Sequence, residues 1–135
     1  MTARIINPLI IALTKLGLSV RGAHVVAVRG QQTGKIQEVL VNPVEVECTR
    51  YLVAPRGETQ WVRNLRVAGV AELRVGRRRE QIRVTELSDE VKPLVLRAYL
   101  RQWQRETGRF FGVDVNASDE ELRRRAPDYP VFRII

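Results

Sequence analysis

From residue 24 onward the chain alternates apolar and polar positions with a two-residue period, broken twice by a helical one. His24 to Val28 is a short apolar run rich in β-branched residues, which predicts a strand. In Val39 to Cys48 the VEVEC alternation puts Val44, Val46 and Cys48 on one face and Glu45 and Glu47 on the other. Arg50 to Ala54 follows closely enough to close a hairpin. Ala71, Leu73 and Val75 alternate with Glu72 and Arg74. A turn at Gly76-Arg77-Arg78 then leads into Gln81 to Thr85, with Ile82 and Val84 inward. YPVFRII at the end reads as a last strand. Short connections require antiparallel pairing. Five or six such strands in so short a chain favour a closed or nearly closed barrel, which leaves few open edges.

Helical spacing appears in three places. Ile5 to Leu16 has Pro8 near its start and Gly17 as a stop, predicting a short amphipathic helix within a 1–17 N-terminal segment. Its polar face carries only Thr14 and Lys15, so it is expected to pack on the domain or on a second subunit. Thr59 to Ala68 predicts a second helix, with Trp61, Leu65 and Ala68 on its apolar face. Within 88–126, Ser88 is a predicted N-cap and Val91, Leu94, Val95, Ala98 and Tyr99 a stripe running on to Trp103. Ser118 and Glu121 there form a capping-box pattern opening a helix to Arg125. The expected fold is α+β: one barrel domain over residues 1–135, of antiparallel strands with short flanking helices.

Composition narrows the chemistry. The 135 residues carry a net charge of +8, and arginine supplies 20 of the 23 basic side chains. Such a surplus attracts polyanions or a phosphate-bearing cofactor. Nucleic acid is not the expected partner, because no aromatic residues interleave with the GRRRE run at Gly76 to Glu80. Cys48 is the only cysteine and His24 the only histidine, so neither an internal disulfide nor a Cys/His metal site is expected. The apolar run in NPLIIALTKLGL is about nine residues long, too short to span a membrane. It also lacks a signal-peptide cleavage pattern. A cytoplasmic protein is expected, with loose membrane association through this segment as the alternative.

Two stretches stand out as candidate chemistry. In APRGETQWVRNLRVAG, Ala54, Pro55, Arg56 and Gly57 form a turn, and Thr59 caps the helix behind it. Backbone amides at such a turn and helix start form an anion site that Arg56 and Arg63 can reach. Asn64, three residues beyond Trp61, flanks the apolar face and can offer its amide to a ring system. A capped surface helix with solvated arginines accounts for the same residues. In VRGQQTGKIQEV, Gly30 and Gly34 bracket a polar loop followed by Lys35, which lets backbone amides approach phosphate. A plain hairpin connection is the alternative there. Tyr129 and Tyr99 are candidate proton donors, each with packing as the simpler role.

Together, GQQTGK, VNPVEV, YLVAPRGETQWVRNLRVAG and AELRVGRRREQIRV resemble the deazaflavin-dependent nitroreductase and quinone reductase family. These are split β-barrel proteins that use coenzyme F(420), relatives of flavin-mononucleotide-binding oxidases. The resemblance runs from Asn7 to Glu86 and, more loosely, through PVFRI. It implies a hydride-transferring oxidoreductase with a small organic acceptor such as a quinone, an activated alkene or a nitro-aromatic. Dimers are common on this fold. It implies coenzyme binding by Gln32, Thr33, Gly34, Lys35 and Gln37, by Ala54, Pro55, Arg56 and Gly57, and by Trp61 and Asn64. Flavin mononucleotide is the alternative cofactor. A non-catalytic barrel holding flavin, haem or a lipid-like ligand is the alternative function. Gln31, Gln32 and Gln37 stand where family members usually carry cations, and neutral bonds there weaken phosphate binding by ~1–4 kcal/mol.

Overall fold

The computed structural model describes residues 24–107 and 112–135, with the side chains of residues 104–107 outside the description. The predicted N-terminal helix therefore lies outside the described residues. Seven strands are present among the described residues, one or two more than the alternation predicts, and every pairing is antiparallel. The described residues fall into two compact units, 24–42 with Thr59–Val84, and Pro43–Glu58 with Thr85–Ile135.

In the first unit, strand β1 (His24–Arg29) pairs with β2 (Ile36–Val41) in a hairpin running from His24 opposite Val41 to Arg29 opposite Ile36. On its other side β1 pairs with β5 (Val70–Val75), which pairs with β6 (Arg78–Glu86). Helix α1 (Gln60–Ala68) packs on β1. A strand paired on both sides and covered by a helix buries alternate and intervening residues alike. Hence Val25, Val26, Ala27 and Val28 are all buried, where a half-exposed strand would alternate. Ala71, Leu73 and Ile82 point inward as predicted. Arg74 is held by Glu38 and Glu72. The α1 face departs from expectation. Trp61, Val62 and Leu65 are buried, whereas Ala68 is exposed, because the helix ends there on Gly69 in the left-handed conformation.

In the second unit, β3 (Val44–Val46) and β4 (Thr49–Val53) form a hairpin, and β4 also pairs with β7 (Val131–Ile134). Cys48 does not share a face with Val44 and Val46. Glu47 and Cys48 are the two turn residues, with φ of 51° and 66°, and the Cys48 side chain is exposed. A two-residue hairpin needs positive φ at both positions if its twist is to match the strands. The alternation VEVEC hid that turn because Glu and Cys are not turn-forming residues.

A 3₁₀ turn (Asp89–Val91) leads into α2 (Lys92–Thr107). Ser88 takes the extended N-cap conformation but makes no side-chain capping bond. The buried line of α2 is Lys92, Val95, Leu96, Tyr99, Leu100 and Trp103; Val91 and Leu94, both assigned to the stripe, are exposed. The 3₁₀ turn takes Val91 out of helical phase, and the Lys92 ammonium anchors the inner face by donating to Ala126 O at 3.1 Å beside Asp89. Helix α3 (Asp119–Arg125) opens as predicted, with Ser118 Oγ accepting from Glu121 N at 3.1 Å. Arg97 ties its approach by donating to Val115 O, Ala117 O and Asp119. No described helix is long and apolar enough to cross a membrane.

Candidate functional site

The β1–β2 hairpin carries the loop Gly30–Lys35, which is bonded largely to itself. Gly30 N donates to Lys35 O at 2.7 Å and Gly34 N to Gly30 O at 3.0 Å. Lys35 N donates to Thr33 Oγ1 at 3.1 Å. A Cβ at Gly30 would lie 3.1 Å from Thr33 Oγ1 and 3.2 Å from Lys35 O, tighter than ordinary contact, so a side chain there would push the loop open by a few tenths of an ångström. Gly34, at φ +74°, makes the reversal. Gln32, Thr33 and Lys35 remain exposed at the tip.

Asn64 joins this loop to α1. It is 2% exposed, and its amide is committed on both sides. Oδ1 accepts from Gln31 N at 3.1 Å and from Gln60 Nε2 at 3.0 Å, while Nδ2 donates to Gln37 Oε1 at 2.8 Å. The group clamps the loop, its Oδ1 holding Gln31 and its Nδ2 holding Gln37. With its Oε1 engaged, Gln37 is oriented so that its Nε2 is the group left to donate. Trp61, expected beside a cofactor ring, is 5% exposed and belongs to the core of this unit.

The start of α1 completes the site. Thr59 sits at the N-cap in extended conformation, but its hydroxyl makes no capping bond. Thr59 Oγ1 is buried without a hydrogen-bond partner among the described residues. Leaving such a group unmade costs about 1–3 kcal/mol. The first turn of α1 holds no acidic side chain, so no carboxylate within that turn offsets the positive end of the helix. An orphaned hydroxyl and uncapped helix amides fit an anionic group at the start of α1.

The turn Ala54–Gly57 belongs to the second unit. Ala54 N donates to Pro130 O at 2.9 Å, continuing the β4–β7 pairing, and Gly57 N to Ala54 O at 3.1 Å within the turn, so both amides are engaged, and Arg56 is exposed. Gly57 has φ +82°, and a Cβ there would lie 3.2 Å from Asp128 O. Gly57→Ala is therefore expected to cost ~1–3 kcal/mol, read as a lower urea midpoint at unchanged slope. Both candidate proton donors also lie in this unit. Tyr99 is buried in the core. The Tyr129 hydroxyl accepts from Gly112 N at 2.8 Å and Arg125 Nη2 at 3.2 Å. Arg125 lies 5.8 Å from the Tyr129 ring centre, and its hydrogen bond to Asp128, together with the charge field of Tyr129, raises its pKa above the usual arginine value. Among the described residues no cluster of His, Cys, Asp and Glu has the makings of a metal site.

The sequence reading missed Gln60 and Arg29, and took Gln31 only as a neutral side chain at a cation position. Gln31 contributes through its backbone, which leaves no trace in residue type. Gln60 lies one turn before Asn64, a spacing at which side chains meet on a helix, and that was the available signal. Arg29 closes β1 and donates from Nη1 to Gly34 O at 2.9 Å across the loop.

No family model matches the chain, and no curated protein does. Solved structures do. A domain-swapped dimer is 17% identical, with 99% of this chain and 93% of that one covered at a TM-score of 0.60. An F420-H2 dependent reductase is 16% identical, with 85% and 95% covered at a TM-score of 0.58. HutZ, the haem storage protein of Vibrio cholerae, is 12% identical, with 84% and 80% covered at a TM-score of 0.56. This chain has the split-barrel fold that these structures share.

Proposed function

We propose that this protein is an oxidoreductase that binds a deazaflavin coenzyme of the F(420) type and reduces a small organic acceptor. The carrying observation is the Asn64-clamped loop beside an uncapped helix start with a buried, orphaned Thr59 hydroxyl. The likeness in fold to an F420-H2 dependent reductase supports the choice of coenzyme. When bound, the coenzyme supplies the hydride; the protein's task is to hold, orient and keep water out. In this reading Lys35 and Thr33 meet the coenzyme's phosphate, Gln32 and Gln37 donate neutral hydrogen bonds to it, and Gly34 allows close approach. Trp61 acts from within the core, setting the helix that carries Asn64. The acceptor is a quinone, an activated alkene or a nitro-aromatic, and the working form is a homodimer.

Fluorescence titration with coenzyme F(420) tests the binding half, and loss of reduced-coenzyme absorbance on adding a quinone tests the reaction. Saturable binding followed by acceptor-dependent oxidation is expected. A second reading, a non-catalytic binding protein for flavin mononucleotide, haem or a lipid-like ligand, is favoured by the neutral amides around the loop and by the likeness to a haem storage protein. Binding of haem or flavin mononucleotide, with no response to coenzyme F(420), would replace the first reading with the second.

A further inference from the structure

Arg29 has no part in the proposal above. A strand-end arginine is ordinarily a solvated side chain that samples many rotamers. Here Nη1 donates to Gly34 O at 2.9 Å, folding the side chain over the glycine at which the loop reverses. A guanidinium carries five N–H donors in a rigid fork, so four remain once Gly34 O is met. The group is exposed and, among the described residues, pairs with no carboxylate. Glu38, the acidic residue of the hairpin, is engaged by Arg74. The loop between Arg29 and Lys35 holds only neutral side chains, so these two residues are its cations.

We infer that Arg29 is a further anion-binding residue of this site, meeting the phosphate of the bound coenzyme together with Lys35. The inference rests on the coenzyme reading above. Pinning by Gly34 O orders the guanidinium before a ligand arrives, which removes part of the ordering cost of binding. The neutral glutamines supply shape and neutral donors, while the charge comes from the strand end.

The test compares wild type, Arg29→Gln and Arg29→Lys in fluorescence titrations. The ligands are coenzyme F(420) and the same deazaflavin lacking its phosphate and acidic tail. Glutamine keeps an N–H for Gly34 O but removes the charge; lysine keeps the charge but loses the fork. Arg29→Gln is expected to raise the Kd for the full coenzyme at least ~10-fold, with Arg29→Lys in between. It is also expected to flatten the rise of Kd with added salt and to leave affinity for the phosphate-free deazaflavin unchanged. Equal Kd values for wild type and Arg29→Gln overturn the inference and leave the coenzyme reading standing. So does weakening with an unaltered salt dependence, or equal weakening toward both ligands, since either means that Arg29 only shapes the loop. A wild type that does not saturate with coenzyme F(420) overturns the coenzyme reading itself, and the inference with it.

Discussion

Asn64→Ala is expected to destabilise the protein by about 2–4 kcal/mol, a large loss for a substitution that removes so few atoms. The cause is what it leaves behind. Gln31 N loses its acceptor, and Gln60 Nε2 and Gln37 Oε1 lose a partner that is almost wholly buried. Unmade bonds at buried groups cost more than made ones contribute, so one side chain with three partners carries an outsized effect. Urea melts measure the total. Amide hydrogen exchange locates it: the Gln31 amide should exchange markedly faster in Asn64→Ala, while amides of β5 and β6 slow and quicken only with global stability. Under the proposed function, affinity for coenzyme F(420) should fall in parallel, because the loop that presents Gln32, Thr33 and Lys35 is held by this residue through Gln31 and Gln37. An unchanged exchange rate at Gln31 would mean the clamp does not form in solution.

Trp103→Ala should be the more damaging still, at about 3–5 kcal/mol, or a fall in Tm of ~10–20 °C. The indole is 5% exposed, lies in the core cluster with Val44, Val95, Leu96, Tyr99 and Leu100, and donates from Nε1 to Pro43 O at 3.0 Å. Two contributions are separable. Trp103→Phe keeps much of the apolar volume and loses the hydrogen bond, so a cost of ~1–2 kcal/mol is expected, well below that of alanine. Should phenylalanine prove as costly as alanine in calorimetry, the bond to Pro43 would outweigh the buried apolar surface and the packing account would fail.

These two residues show how unevenly the sequence discloses its own structure. Trp103 was legible: a large apolar residue at helical spacing behind Tyr99 can hardly be elsewhere than inside. Asn64 was legible as a residue placed at the edge of an apolar face, but its role was not. The partners of an amide are settled by what a distant hairpin brings to it, Gln31 and Gln37 lying 33 and 27 residues away. Two local patterns misled for related reasons. Cys48 fell in register with Val44 and Val46, yet the chain turns at Glu47–Cys48, a conformation held by the pairing of β3 with β4 and not by turn-forming residues. Val91 and Leu94 fell in helical register, yet a 3₁₀ turn and the anchoring of Lys92 rotate the buried face past them.

What the sequence by itself determined is the class of the elements and the position of most of them. Alternation with a period of two, tight glycine turns and a capping box at Ser118 depend only on neighbours in the chain, so antiparallel strands and short helices could be read directly. The net charge of +8 likewise needed no fold to point to an anionic ligand. Only the tertiary structure decided which polar groups are engaged and which are left over. Hydrogen bonding is a matter of angstroms between residues far apart in sequence, and that spacing is set by packing. Thus the Asn64 amide is engaged, the Thr59 hydroxyl is orphaned, and the Arg29 fork lies pinned across the loop with donors to spare.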